Sequence, residues 1–166
     1  MVRTITPEPL TAEAFAPYGD VIEPACAAEK IKINYGNTTR FHDVFPVDVS
    51  DEGGEVCVSI FRSTPLQQPI TVKTMEYHPL GSQAFMPLGP EPYLIVVAKA
   101  GKFDASKIRV FMASPGQGVN YRKGTWHHFS LALNKPSDFL VLDRKGGGDN
   151  CVEVALKTED QFTITL

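Results

Sequence analysis

Glu76-Tyr77-His78-Pro79-Leu80-Gly81-Ser82-Gln83 is the stretch around which the chain is organised. Glu76 and His78 stand two residues apart, and on a strand that spacing turns both side chains to one face. Pro79 to Ser82 is turn chemistry, so Gln83 opens a returning strand toward the same face. The answering segment is Lys123-Gly124-Thr125-Trp126-His127-His128, where Gly124 relaxes the backbone before a strand that carries the His127 imidazole to the same place. One carboxylate, two imidazoles and an amide oxygen converge from separate strands. Such a set suits a divalent metal, or a polar pocket for a small anion. Taken singly, His78 also reads as a hydrogen-bonded turn residue and His127 as a core histidine; the constellation is what favours a site. Trp126 and His128 have the opposite strand parity to His127 and are expected to pack on the outer or dimer face.

Outward from the motif the chain alternates strands and turns. Residues 70–76 lead into it and 83–87 leave it. Tyr93-Leu-Ile-Val-Val-Ala98 is an unbroken apolar run of strand length, which predicts a buried strand. Asp138-Phe-Leu-Val-Leu-Asp143 is apolar on both faces and reads as a central strand. Residues 56–62 carry almost no charge until Arg62, which stands at the pocket rim or marks the exit to water. Further strands are predicted at 108–112, 119–121, 151–156 and 161–166. Over 30–45 a polar crossing contains an alternation of Ile31, Ile33 and Tyr35, which predicts a half-buried strand with Gly36 at a turn. Asn34 and Arg40 in that crossing are placed to reach a ligand carboxylate or, equally, to be solvated loop residues. One short helix is predicted, with Thr11 as N-cap, Glu13 in its first turn, and Pro17 and Gly19 ending it. The run Lys145-Gly146-Gly147-Gly148-Asp149-Asn150 is not a phosphate loop, since no Gly-Lys-Ser/Thr follows. A hairpin turn is favoured there over a flexible loop above a pocket. About ten strand candidates with Gly and Pro turns and one helix predict an all-β sandwich or barrel. A single jelly-roll domain over 1–166 accounts for the chain, with the motif residues in its mouth.

Composition narrows the function classes. The chain has 166 residues, 43% of them hydrophobic, and a net charge of −3. There is no basic run to provide a nucleic-acid footprint, and no apolar run long enough to span a membrane. The N-terminus lacks the apolar core of a secretory signal. Cys26, Cys57 and Cys151 are widely spaced and odd in number, which suits reduced thiols in the cytoplasm, as core filling or chance surface thiols, rather than a disulfide framework or a nucleophile.

The two motifs resemble those of the cupin family, His-x-His followed by Glu, then Pro-x-Gly-x-x-His. Glu76 takes the first histidine position, His78 the second and Gln83 that of the glutamate, while Arg122 stands where proline is usual, before Gly124 and His127. Longer segments are more specific. Phe15-Ala-Pro-Tyr-Gly-Asp-Val-Ile22, the stretch from Glu76 to Pro87, Gly116-Gln-Gly-Val-Asn-Tyr121, Trp126-His-His128, the stretch from Asp138 to Arg144, and Asp149-Asn-Cys151 resemble, in the same order, the ureidoglycolate lyase family of the allantoin pathway. The resemblance implies a cupin-like double-stranded β-helix and cleavage of (S)-ureidoglycolate to glyoxylate and urea. It also implies a cytoplasmic homodimer and a divalent metal, usually nickel, with no organic cofactor.

For that reaction Glu76, His78, Gln83 and His127 are the expected inner set, binding metal or substrate. Glu76 and the two histidines cannot all be both ligands and free bases, so the base is left open between the leading candidates Glu76 and His127. Arg62 and Arg40 are candidates for the substrate carboxylate, with Asn34 and Tyr121 beside them in the family-like segments. Asp143 is expected to orient a histidine or to receive the urea N–H groups. No covalent nucleophile is needed. Two rival expectations are a metal cupin acting on another small acid, and a non-catalytic module binding a small carboxylate such as glyoxylate.

Overall fold

The computed structural model describes residues 3–166. An antiparallel sheet of five strands runs in the order Gly19–Ile22, Gly118–Tyr121, Gln83–Pro87, Ser137–Lys145, Glu55–Ser63. A second sheet runs Val152–Ala155, Thr74–Tyr77, Trp126–His127, Tyr93–Ala98, Arg109–Ala113, Glu8–Pro9, with Leu131–Ala132 also paired to Tyr93–Ala98. Side chains from both sheets meet in one apolar cluster that includes Val21, Phe85, Ile95, Val97, Phe111, Val119 and Phe139. The architecture is all-β, as expected, and matches a jelly-roll whose sheets keep open edges. The helix is the predicted one: it spans Ala12–Phe15, and the Thr11 hydroxyl accepts from the Ala14 N–H at 3.2 Å. It sets Phe15 on the core, its ring edge-on to Phe111.

The apolar run Tyr93–Ala98 owes its composition to two cores. Tyr93, Ile95 and Val97 enter the cluster between the sheets. Leu94, Val96 and Ala98 point the other way, into a second cluster with Ile70, Val72, Trp126, Phe162 and Ile164. That cluster lies under a small third sheet, Arg3–Ile5, Phe162–Ile164 and Ile70–Val72. Trp126 accordingly packs away from His127, as strand parity requires, but in this interior rather than on an outer or dimer face. Its indole N–H donates to the Gly101 carbonyl at 2.9 Å.

Register aims the motif inward at one end of the sandwich. Val97 faces the core and pairs with His127, which pairs with Glu76. Directly opposed residues share a face, so His127 and Glu76 also point inward. On the other sheet Gln83 pairs with Tyr121. Asp143 lies two residues beyond the core residue Val141, and hence on the same face.

Gly19 is required by this arrangement. A Cβ there would sit 1.9 Å from the Asn120 carbonyl oxygen of the paired strand. Gly19→Ala must displace that strand, and we expect a loss of roughly 3 kcal/mol. In a thermal melt this appears as a drop of about 6–12 °C.

The crossing over 30–45 departs from expectation. Glu29–Ile33 and Thr38–His42 form an antiparallel hairpin that stands apart from the other sheets. Tyr35 does not continue the strand: it has φ 57°, beside Asn34 at φ 52°, and its side chain is fully exposed. Positive φ at consecutive positions is what a tight hairpin turn demands, and that demand outweighs the alternation with Ile31 and Ile33.

Candidate active site

Glu76 and His78 reach the inner face from the end of Thr74–Tyr77, and His127 from the neighbouring strand. Glu76 Oε1 lies 3.9 Å from His78 Nε2 and 3.7 Å from His127 Nδ1, and the two imidazole rings are 5.1 Å apart. Gln83 comes from the facing sheet, its Oε1 3.2 Å from His78 Nε2. Its amide N–H donates to Asp143 Oδ2 at 3.2 Å. Tyr121 stacks flat on His127, 4.2 Å away with the planes 3° apart. The structure therefore brings together Glu76, His78, Gln83, His127, Tyr121 and Asp143.

Hydrogen bonds assign protons in this cluster. His78 Nδ1 faces the Asn150 carbonyl at 2.6 Å, which can only accept, so this nitrogen donates. Its Nε2 faces Gln83 Oε1, another acceptor, while the Gln83 amide is oriented by donation to Asp143. Nε2 of His78 thus lies between two oxygens, Gln83 Oε1 at 3.2 Å and Glu76 Oε1 at 3.9 Å. His127 Nδ1 lies 3.1 Å from the carbonyl of His128 and donates to it, which leaves a bare lone pair on Nε2. That Nε2 is buried and has no partner among the described residues.

Burial sets the acidities. Desolvation, with the nearby His78 as a lesser cause, pushes His127 down to about 3, so its ring is neutral at ordinary pH. Glu76 is pushed above the usual carboxylate range, chiefly by burial, against the opposing pull of His78. Burial, and then the proximity of Glu76, raise the Tyr121 phenol, which stays protonated.

Three sequence candidates lie elsewhere. Arg62 is opposite Asp138 in register and grips it with two hydrogen bonds, 2.7 and 2.8 Å. It shares the outer face of Glu55–Ser63 with Val56, Val58 and Ile60, and its side chain is 73% exposed. Asn34 and Arg40 are carried on the exposed hairpin, where Asn34 Nδ2 donates to Thr38 at 3.2 Å.

Asn150 was not singled out from sequence, and it fixes the site. Besides holding His78, its side-chain oxygen accepts from the Leu80 N–H at 2.8 Å, pinning the turn after the motif. Arg144 braces the glycine run that leads to it, donating to the Gly147 carbonyl at 2.9 Å and twice to the Asp51 carbonyl. The run is thus a braced connector whose end supports a site histidine. An Asn closing a glycine run, at the foot of a turn-rich segment, was the available signal. Cys151, read as filling or a chance surface thiol, is exposed, and its thiol lies 3.9 Å from Glu76 Oε2. A cavity of about 760 Å³ lies between the 99–107 loop and Lys157, away from all these groups. Its lining carries Lys99, Lys102, Lys107 and Lys157 with Asp104 and Asp160, and none of the Glu76 cluster.

Comparison with known proteins gives this geometry a family. A family model described as ureidoglycolate lyase matches residues 2–164. The chain belongs to the ureidoglycolate lyase family. It is 55% identical over 152 residues to a protein of Burkholderia mallei (strain NCTC 10229) named ureidoglycolate lyase, covering 92% of this chain and 89% of that one. Proteins of the same name from Pseudomonas putida (strain W619) and Pseudomonas entomophila (strain L48) are 48% and 49% identical over 164 residues, covering 98% of this chain and 97% and 98% of theirs.

The donor set of this ureidoglycolate lyase family member suits the divalent metal that the sequence resemblance implies. One ligand atom each from Glu76, His78 and His127 lies within 4.8 Å of the others. The unpartnered Nε2 of His127 is a ready lone pair, and the Asn150 carbonyl on His78 Nδ1 is the outer support that ligating histidines use. One carboxylate with two imidazoles is a donor set that a divalent metal can take.

Proposed function

We propose that this chain is a ureidoglycolate lyase, a single-domain carbon–nitrogen lyase that cleaves (S)-ureidoglycolate to glyoxylate and urea in allantoin and purine breakdown for nitrogen use. The observation that carries this reading is the two-sided Glu76 carboxylate. Its Oε1 is engaged by the histidines, and its Oε2 meets only the Cys151 thiol among the described residues.

The substrate carbon bears a hydroxyl, a carboxylate and a urea nitrogen. Glu76 Oε2 accepts the hydroxyl proton, the C–O bond becomes a carbonyl, and the C–N bond breaks. The departing urea nitrogen takes the same proton back from Glu76, so no proton is consumed overall. The raised pKa of Glu76 brings it closer to neutral pH, where a shuttle works best. Asp143, held by Gln83, accepts urea N–H groups, and Tyr121 keeps the His127 ring in place. Glu76, His78 and His127, with Gln83 beside them, would hold a divalent ion, nickel by resemblance, whose chemistry would be Lewis-acid polarisation of the substrate oxygens. The enzyme works as a cytoplasmic homodimer. Val56, Val58 and Ile60, at 44%, 62% and 56% exposure, support an interface on the outer face of the edge strand. Among the described residues no helix is long and apolar enough to cross a membrane.

Purified protein is expected to release glyoxylate and urea in equal amounts from racemic ureidoglycolate, without ammonia, and to stop near half conversion after correction for spontaneous breakdown. Chelation should suppress the rate and nickel should restore it. Saturable glyoxylate binding without turnover would replace the lyase reading with a binding module.

A further inference from the structure

The hairpin of Glu29–Ile33 and Thr38–His42 is an arm in search of a surface. Its hydrogen bonds are its own: Lys32 Nζ donates to Thr39 at 2.8 Å, Asn34 to Thr38 at 3.2 Å, and Ala28 N–H to Asp43 at its base at 3.2 Å. A lone two-stranded hairpin is marginally stable at best in water. This one also carries Ile33, Tyr35 and Phe41 into solvent, at 37%, 111% and 40% exposure.

Register divides the arm. Ile31, Ile33, Arg40 and His42 share one face, and Lys30, Lys32 and Phe41 the other. Arg40 therefore projects from the isoleucine face. The arm is also cationic, with Lys30, Lys32 and Arg40 against Glu29 alone.

The site has the complementary lack. Glu76, Asp143 and Glu153 surround it, and among the described residues the ion pairs of Glu76 come only from His78 and His127. Three cations of its own chain are engaged elsewhere: Arg62 with Asp138, Arg144 with backbone carbonyls, Lys123 with Asp48 and Asp51. Among the described residues no guanidinium or ammonium is ion-paired with these carboxylates. On the open side of the sandwich, Phe61 on the inner face of the edge strand and Phe129 after His128 remain 37% and 49% exposed. They offer apolar seating beside the acidic groups.

We propose that the arm of a second copy of this chain seats along the exposed Glu55–Ser63 edge, bringing its Arg40 into the neighbouring site to bind the substrate carboxylate. The exchange is reciprocal, so two arms complete two sites. It rests on the lyase reading for its substrate, and on charge complementarity and the uncovered apolar arm for its occupant.

Active-site complementation tests it. Copies bearing Arg40→Ala and copies bearing Glu76→Gln are co-expressed with different tags, and mixed dimers are isolated through both. Each variant alone should be nearly inactive. The mixed dimer, with one intact site of two, should recover about half the wild-type turnover. Mixed dimers as inactive as their parents would overturn the proposal, as would wild-type kcat/KM in Arg40→Ala. A separate readout needs no substrate: sedimentation should show Ile33→Asp as a monomer where wild type is a dimer. An unchanged dimer would also overturn it. Wild-type protein that dimerises through the arm yet releases no glyoxylate would instead count against the lyase reading.

Discussion

Glu76→Gln should lower kcat by about 10²–10⁴-fold, the usual worth of a positioned proton shuttle. The amide keeps the shape of the side chain and its contacts with His78 and His127, so a folded protein that turns over slowly is the expected result. The pH profile makes the assignment specific. Glu76 works ionised and is held above the usual carboxylate range by burial. Activity should therefore fall on the acid side as Glu76 takes up a proton, and the variant's residual rate should lack that limb. Stability should move the other way. A carboxyl whose folded value is raised favours folding when protonated, and that contribution is lost as pH rises through the raised value. With metal chelated, the variant should melt no lower than wild type at neutral pH, because a partly buried charge has been removed. Unchanged kcat, or an intact acid limb, would take the proton shuttle away from Glu76.

Phe139→Ala should cost about 3–5 kcal/mol, the range for emptying a fully buried aromatic position. Phe139 has no exposed surface and packs edge-on against Tyr93 at 4.9 Å and against Phe85 at 6.1 Å. The Tyr93 contact joins the two sheets, so the vacated space lies where the sandwich is held together and neighbouring rings cannot all relax into it. A thermal melt should fall by roughly 6–20 °C. A drop below a few degrees would mean that the inter-sheet core collapses around the gap far more readily than its packing suggests.

Much of this organisation could be read from local pattern. Two residues apart on a strand means one face, and that rule alone placed Glu76 with His78. The return through Pro79 to Ser82 placed Gln83 opposite. Tyr93–Ala98 was legible as buried, because only a strand covered on both sides tolerates six consecutive apolar residues. The arm was not legible. Alternating isoleucines signal a covered face, yet nothing in one chain states which molecule covers it. Arg62 illustrates a further limit, since the end of a strand can lie near a pocket while parity turns the side chain outward. Asn150 escaped because its contribution to His78 is a backbone carbonyl, and carbonyls leave no trace in residue identity.

The shared strand Tyr93–Ala98 also shapes how this enzyme can change over generations. Its odd-numbered positions line the interior that backs His127, and its even-numbered positions line the separate interior beneath Phe162. Neighbouring codons therefore answer to different selective demands. Drift at Leu94, Val96 or Ala98 can trade robustness up or down while leaving the catalytic wall in place. Drift at Ile95 or Val97 explores activity with the other half of the molecule as a buffer.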